Sequence, residues 1–270
     1  MYPKMAKGNF IRSLRQLILL TILFMVAVGS FLTRSQSTNW EEPLWVTVYP
    51  IAGDAAPATG RYIEQLTRRN FQAIEQFMLS ETGRYDVGVD QPVRIEVGRS
   101  IDEIPPAPPA NGNPINIAYW SLKLRWWARQ ATADQPGPTP DIRLFLVYHD
   151  PSIDAELPHS LGLQKGMLGV VHVFAAKSAQ GTNNFVIAHE MLHTLGASDK
   201  YAFDTNQPLH PIGYAEPERI PLHPQNVAEI MGGRIPLSTS ESEIPRSLKY
   251  ARVGSATALE IRWVDRLPGA

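Results

Sequence analysis

The segment 189–199 holds side chains whose types and spacing suit a metal-dependent hydrolysis. His189 and His193 are four residues apart, Glu190 follows the first histidine, Gly196 comes three residues after the second, and Asp199 three residues after the glycine. Residues four apart lie on one face of a helix, so both imidazoles can reach a single metal ion. Glu190 would stand beside that ion, where a carboxylate can take the proton of an attacking water. The pattern predicts the active site of a zinc hydrolase.

The surrounding residues favour a buried helix that ends in a sharp turn. We expect this helix to begin near Asn183, because asparagine is a favourable N-cap residue. Its apolar residues cover much of the circumference, as in a helix inside a domain; they are Phe185, Ile187, Ala188, Met191, Leu192 and Leu195. Gly196 can adopt a positive φ and turn the chain, so that Asp199 folds back as a third ligand. Three protein ligands and a water are typical of a catalytic zinc site.

The motif resembles that of the metzincin metallopeptidases, H-E-x-x-H-x-x-G-x-x-H followed by a methionine turn. Asp199 stands where most metzincins have a third histidine, and the same aspartate marks the snapalysin-like branch. Met231, followed by Gly232 and Gly233, comes about thirty residues later and is similar to the methionine turn beneath the zinc. The resemblance covers roughly residues 140–235.

The resemblance implies a zinc endopeptidase that acts on a peptide or protein substrate with Zn²⁺ as its cofactor. His189, His193 and Asp199 would bind the metal, and Glu190 would act as general base toward the attacking water.

A tyrosine that assists the transition state follows the methionine by two residues in many metzincins, but this chain has Gly233 at that position. Tyr201 and Tyr214 are therefore the candidates for a tyrosine that assists the transition state, or for residues in the wall of the cleft.

Other interpretations remain open at this point. A zinc peptidase of a different clan would use a downstream glutamate as third ligand, and the candidates are Glu216, Glu218 and Glu229. His210 and His223 are expected to be loop residues and become candidate ligands only if Asp199 is not one. A catalytically inactive binding protein tethered to a membrane is a further alternative.

The N-terminus has the pattern of an export signal. Four basic residues precede an uncharged apolar run at 17–32, and no acid occurs before Glu41; the basic residues are Lys4, Lys7, Arg12 and Arg15. A basic flank followed by an apolar run predicts a signal peptide or a signal anchor at residues 1–34. We expect a single-pass protein of the cell membrane with its catalytic part outside the cytoplasm, or alternatively a secreted one.

The composition limits the remaining possibilities. The chain of 270 residues has no cysteine, so a cysteine cannot block the metal and disulfides cannot stabilise the fold. The formal net charge of −1 gives no electrostatic footprint for nucleic acid. Without repeats or low-complexity tracts, residues 40–270 are predicted to form one catalytic domain, expected to be monomeric.

The elements expected to position the motif alternate between strands and helices. Strands are predicted at 44–49, 93–97, 142–148 and 166–175, and helices at 57–80, 116–130 and 248–262. This order predicts an α/β (α+β) fold with a three-layer sheet, the zinc helix beneath it and an irregular C-terminal subdomain. Residues 168–174 are expected to form the sheet edge above the cleft, with His172 at the rim or in the core.

Overall fold

The computed structural model describes residues 15–17, 20–21, 39–109, 112–154, 156–164 and 166–267. The chain divides into two units, Met1–Asn39 and Trp40–Ala270, and all the elements below belong to the second. The predicted export segment at 1–34 lies mostly outside the described residues and stays a prediction. In the described part of the chain, no helix combines the length and the apolar character needed to cross a membrane.

A five-stranded sheet forms the centre of the second unit. Its order is β2-β1-β3-β5-β4, and the strands are β1 (Leu44–Ala52), β2 (Val93–Val97), β3 (Ile142–His149), β4 (Leu161–Leu163) and β5 (Leu168–Phe174). All strands run parallel except β4, which pairs antiparallel with β5. The prediction that 168–174 form the edge was wrong for residues 168–170, because β4 pairs with them on the outer side of β5. Three residues are too few to show the alternation that identifies a strand in a sequence.

Helices cover both faces of the sheet. They are α1 (Pro57–Glu64), α2 (Gln72–Arg84), α3 (Pro114–Ala131), α4 (Gln180–Thr194) and α5 (Ser255–Glu260). The apolar residues of α2 and α4 pack on one face of the sheet, and those of α3 pack on the other. Burial on both faces explains why β1 and β3 read as nearly continuous apolar runs. The predicted mixed α/β fold with the motif helix beneath the sheet is confirmed.

Two of the predicted helices are divided into shorter elements. The helix expected at 57–80 is interrupted after Glu64, where Thr67 and Asn70 form a capping box that starts a new helical segment. Residues 248–262 contain a short 3₁₀ turn, a two-residue strand and only then α5.

The motif helix α4 begins at Gln180, and Asn183 is not its N-cap. The amide of Asn183 instead accepts from the backbone N–H of Phe174 and donates to its carbonyl, at 3.2 and 2.8 Å. This pair of bonds ties the start of α4 to the end of β5.

The part that follows Asp199 is irregular, as predicted. Its strands are only two residues long: β6 (Ala228–Glu229), β7 (Ile235–Pro236), β8 (Ser242–Glu243) and β9 (Ala251–Arg252). Glu229 is fully buried and accepts from the backbone N–H groups of Gly232 and Gly254 and from the Thr257 hydroxyl. Side-chain bonds of this kind fix a segment that has too little regular structure to satisfy its own backbone.

Candidate metal centre

The two histidines of the motif lie one turn apart on α4, and the protein orients both rings. Nδ1 of His189 donates to the carbonyl of Ile230 at 2.8 Å, and Nδ1 of His193 donates to the carbonyl of Ala197 at 2.8 Å. A carbonyl oxygen only accepts, so each Nδ1 carries the proton and each Nε2 keeps a free lone pair. The two Nε2 atoms are 3.1 Å apart and face each other.

Gly196 turns the chain back toward these rings. It has a φ of 104°, in the region that favours glycine, and the N–H of Ala197 closes the helix by donating to Leu192. The turn brings Oδ1 of Asp199 to 3.2 Å from Nε2 of His189 and 3.1 Å from Nε2 of His193. The aspartate therefore completes a triangle with the two imidazoles, as the sequence predicts.

The donor set fits a divalent cation. Three electron-pair donors face one another, and Oδ1 of Asp199 is buried without a hydrogen-bond partner in the described part of the chain. Lone pairs at such distances repel unless a proton or a metal cation lies between them. Tetrahedral zinc, with bonds of about 2.0–2.1 Å, separates its ligand atoms by about 3.3 Å, close to the distances found here.

Glu190 lies beside the triangle but does not belong to it. Its side chain is buried and lines the cleft, and its Oε2 has no hydrogen-bond partner among the described residues. Burial raises the pKa of Glu190. At Asp199 burial acts in the same direction, but hydrogen bonds and positive charge from the two imidazoles, when these are protonated at Nε2, outweigh it and hold the pKa of that carboxyl below its usual range. Two neighbouring carboxylates thus have different characters, one suited to permanent charge and one to proton transfer.

Gly196→Ala is expected to lower both the melting temperature and the zinc affinity. A side chain at this φ costs roughly 1–2 kcal/mol, and the added Cβ would clash with Nε2 of Gln164. This cost corresponds to a loss of roughly 2–8 °C for a chain of this size. Thermal melts and competition with a chromophoric chelator measure the two effects. Gly60→Ala is the control, because nothing lies within 4 Å of its added Cβ. Parental zinc affinity in Gly196→Ala would show that the turn does not position Asp199.

The segment around Met231 forms a tight turn against the motif helix. Residues Ile230–Gly232 form one 3₁₀ turn that ends at Gly233, whose φ is 74°. Met231 is fully buried, and the carbonyl of Ile230 is the acceptor that orients His189. This turn therefore contacts the first histidine of the motif through a backbone carbonyl, and its identification as a methionine turn stays a prediction.

The two candidate tyrosines lie in different places. Tyr201 lines the cleft, and its ring centroid is 6.4 Å from that of His189. Burial, together with the carboxylates of Asp199 and Glu190, raises the pKa of Tyr201 to about 12, so its hydroxyl remains a donor. Tyr214 is directed elsewhere, and its hydroxyl forms a 3.0 Å hydrogen bond with His223.

The other candidate ligands do not join the triangle in the described part of the chain. Glu216 accepts from Asn226 and pairs with Arg219, Glu218 is exposed, and Glu229 is fully used by the bonds given above. His210 lies 3.3 Å from the carbonyl of Pro217, and His223 is bonded to Tyr214.

A cleft of about 370 Å³ opens beside the triangle. Its apolar wall includes Leu157, Phe185, Val186 and Ile244. Its polar groups include His159, Ser160, His172 and Arg234, together with Glu190 and Tyr201. The backbone of Gly232 and Gly233 also lines it, because the absence of side chains after Met231 leaves room there.

Sequence reasoning missed a second group, formed by Asp54, His149 and Asp154, whose ligand atoms lie within 4.8 Å of one another. Asp54 and His149 stand at the carboxyl ends of the neighbouring parallel strands β1 and β3, a signal that could have indicated their proximity. His149 places Nδ1 at 3.2 Å from Asp154 and Nε2 at 3.0 Å from Nδ1 of His172. Burial, followed by the effect of His149, lowers the pKa of His172 to about 4. A hydrogen-bonded chain therefore connects Asp154 to a neutral histidine on the cleft wall.

Comparison with protein-family models finds no match to this chain, and comparison with curated proteins finds none either.

Proposed function

We propose that this protein is a zinc-dependent endopeptidase. The observation that carries the proposal is the convergence of two imidazole Nε2 atoms and one carboxylate oxygen, all within 3.2 Å of one another. The resemblance of the motif to that of the metzincins is in agreement with this assignment.

His189, His193 and Asp199 are the residues that would hold the ion. A zinc ion at this place would supply a Lewis acid and lower the pKa of a water. Glu190 acts first as general base, when it accepts the proton of the attacking water, and then as general acid, when it delivers that proton to the departing amine. Tyr201 is a hydroxyl donor on the same cleft and is suited to stabilise the oxyanion that develops on the carbonyl.

The form of the cleft favours an extended peptide as substrate. Residues 157–160 line the cleft and lead directly into β4, the last strand of the sheet. On its outer side β4 has no partner strand within the described residues, so backbone groups of a peptide can pair there.

Metal removal tests the proposal. A purified sample is expected to cleave a denatured protein such as casein, to lose this activity with a chelator and to regain it with added zinc. His193→Ala, prepared in the same way, gives the background of contaminating proteases. Chelator-resistant cleavage, or equal cleavage by His193→Ala, would contradict the proposal. Bound zinc without any cleavage would favour a binding protein instead.

The charge of Arg234 gives an expectation for the substrate. This side chain lines the cleft, and its positive charge favours ionisation of Tyr201. The pKa of Glu190 is shifted by burial and by the charges of His189, His193 and Asp199, and not by Arg234. The ion pairs of the described residues do not include Arg234, so a carboxylate of the substrate can bind to it.

Peptides with an acidic side chain next to the scissile bond are expected to be cleaved about tenfold faster than their amide counterparts, because an ion pair with Arg234 is stronger than its hydrogen bond to a neutral amide, and about 1.4 kcal/mol corresponds to tenfold. Arg234→Gln should abolish this preference, whereas Arg61→Gln, on an exposed face of α1, should keep it. Paired peptides with Glu or Gln provide the measurement. A preference that survives in Arg234→Gln would assign the recognition to another residue.

A further inference from the structure

The helix α3 exposes a continuous apolar stripe. Ile115, Tyr119, Leu122 and Trp126 are 77%, 69%, 61% and 64% exposed. Their spacing of four, three and four residues places them on one side of the helix, within an arc of about 60° at 3.6 residues per turn. Single exposed apolar side chains are common, but a stripe with two large aromatic residues is typical of a contact surface.

The contacts of α3 with its own domain do not use this stripe. Leu124, Trp127 and Ala128 are buried against the sheet, together with Phe145 of β3. These residues lie on the side of the helix opposite the exposed stripe, at about 160° from its centre. The helix is therefore fixed by one apolar face and presents a second one outward.

The charges of α3 are all positive. The helix contains Lys123, Arg125 and Arg129 and has no acidic residue between 114 and 131. Lys123 and Arg129 are exposed and lie on the two flanks of the stripe, whereas Arg125 is partly buried and bonds to the carbonyl of Ser121. An apolar band between basic side chains is complementary to a surface that has negative charges above an apolar layer.

We propose that α3 lies flat on an anionic phospholipid surface. The stripe would enter the boundary between headgroups and acyl chains, where tryptophan and tyrosine are favoured, and Lys123 and Arg129 would contact the phosphates. The helix is roughly 27 Å long. This inference does not depend on the metal centre.

The absence of cysteine allows a direct test on the full chain. Leu122→Cys provides a single attachment point for a polarity-sensitive fluorophore, and Thr205→Cys, in an exposed loop, provides the control position. The probes are vesicles of phosphatidylcholine alone and of phosphatidylcholine with phosphatidylglycerol. We expect a blue shift and quenching by lipid-attached spin labels at position 122, strongest with phosphatidylglycerol, and none at position 205. Because the readout is local to α3, attachment through another segment does not produce it.

Charge variants test the role of the flanks. The double variant Lys123→Gln and Arg129→Gln is expected to weaken the docking of α3 by about twenty-five-fold, since each basic side chain contributes about fivefold at an anionic surface. The matched control is Arg61→Gln with Lys249→Gln, two exposed basic residues outside α3 that should leave docking unchanged. An equal loss in the control would mean that only net charge matters, and the proposal would be wrong.

Two other outcomes would also overturn the proposal. One is a fluorophore at position 122 that remains in water with both kinds of vesicle. The other is a blue shift without lipid that grows with protein concentration, which would assign the stripe to a contact between copies of this chain.

Discussion

Glu190→Gln is expected to lower kcat by about a thousandfold while the zinc content of the protein stays at the parental value. Glutamine has nearly the same shape as glutamate but cannot accept the proton of the attacking water, and a general base contributes about 10²–10⁴-fold. Glu190 is not among the atoms that form the triangle of His189, His193 and Asp199. Its substitution therefore separates proton transfer from metal binding.

The experiment compares initial rates of peptide cleavage with metal analysis of the same samples. Glu64→Gln, on the exposed side of α1, is the control for the loss of a negative charge and should cleave at the parental rate. Loss of zinc together with activity would mean that Glu190 is needed to maintain the metal site. Parental turnover in Glu190→Gln would show that Glu190 takes no part in catalysis.

Asp199→Ala is expected to weaken zinc binding by more than about a hundredfold and to reduce cleavage to background. Loss of even an indirect contact to a metal ligand costs about 10–100-fold in affinity, and a ligand contributes more. The two imidazoles would remain, but Oδ1 is the atom that closes the triangle, at 3.2 and 3.1 Å from their Nε2 atoms. Competition with a chromophoric chelator measures the affinity.

Two variants distinguish Asp199 from the other candidate ligands. Asp204→Ala changes an exposed aspartate five residues away, and Glu218→Ala removes an exposed glutamate of the downstream segment. Both should bind zinc like the parent. If Glu218→Ala lost zinc and Asp199→Ala kept it, the third ligand would be the downstream glutamate. Glu229→Ala is not suitable for this comparison, because the loss of its buried hydrogen bonds is expected to unfold the C-terminal part.

The sequence predicted those parts of the site that depend on local geometry. His189 and His193 are related by one helical turn, and Asp199 follows them through a turn that Gly196 identifies. The relative positions of all three side chains therefore depend on a short, local stretch of sequence. The placement of Tyr201 beside the triangle, and of Tyr214 away from it, depends on how an irregular segment packs. No periodic pattern carries that information.

The group of Asp54, His149, Asp154 and His172 was missed for a related reason. Its members come from the ends of β1 and β3, from a loop and from β5, and only the pairing of the strands brings them together. The fold class follows from the alternation of strands and helices, which is a property of the whole chain. The edge strand β4 and the break between α1 and α2 depend on three or four residues each, and apolar periodicity cannot resolve segments of that length.

The central claim is that one zinc ion binds between His189, His193 and Asp199. Crystals of the purified protein, measured on both sides of the zinc absorption edge, test it most directly. We expect one anomalous peak within bonding distance of Nε2 of both histidines and of the carboxylate of Asp199. A zinc-loaded protein without a peak at that place, or with its only peak at Asp54, His149 and Asp154, would contradict it.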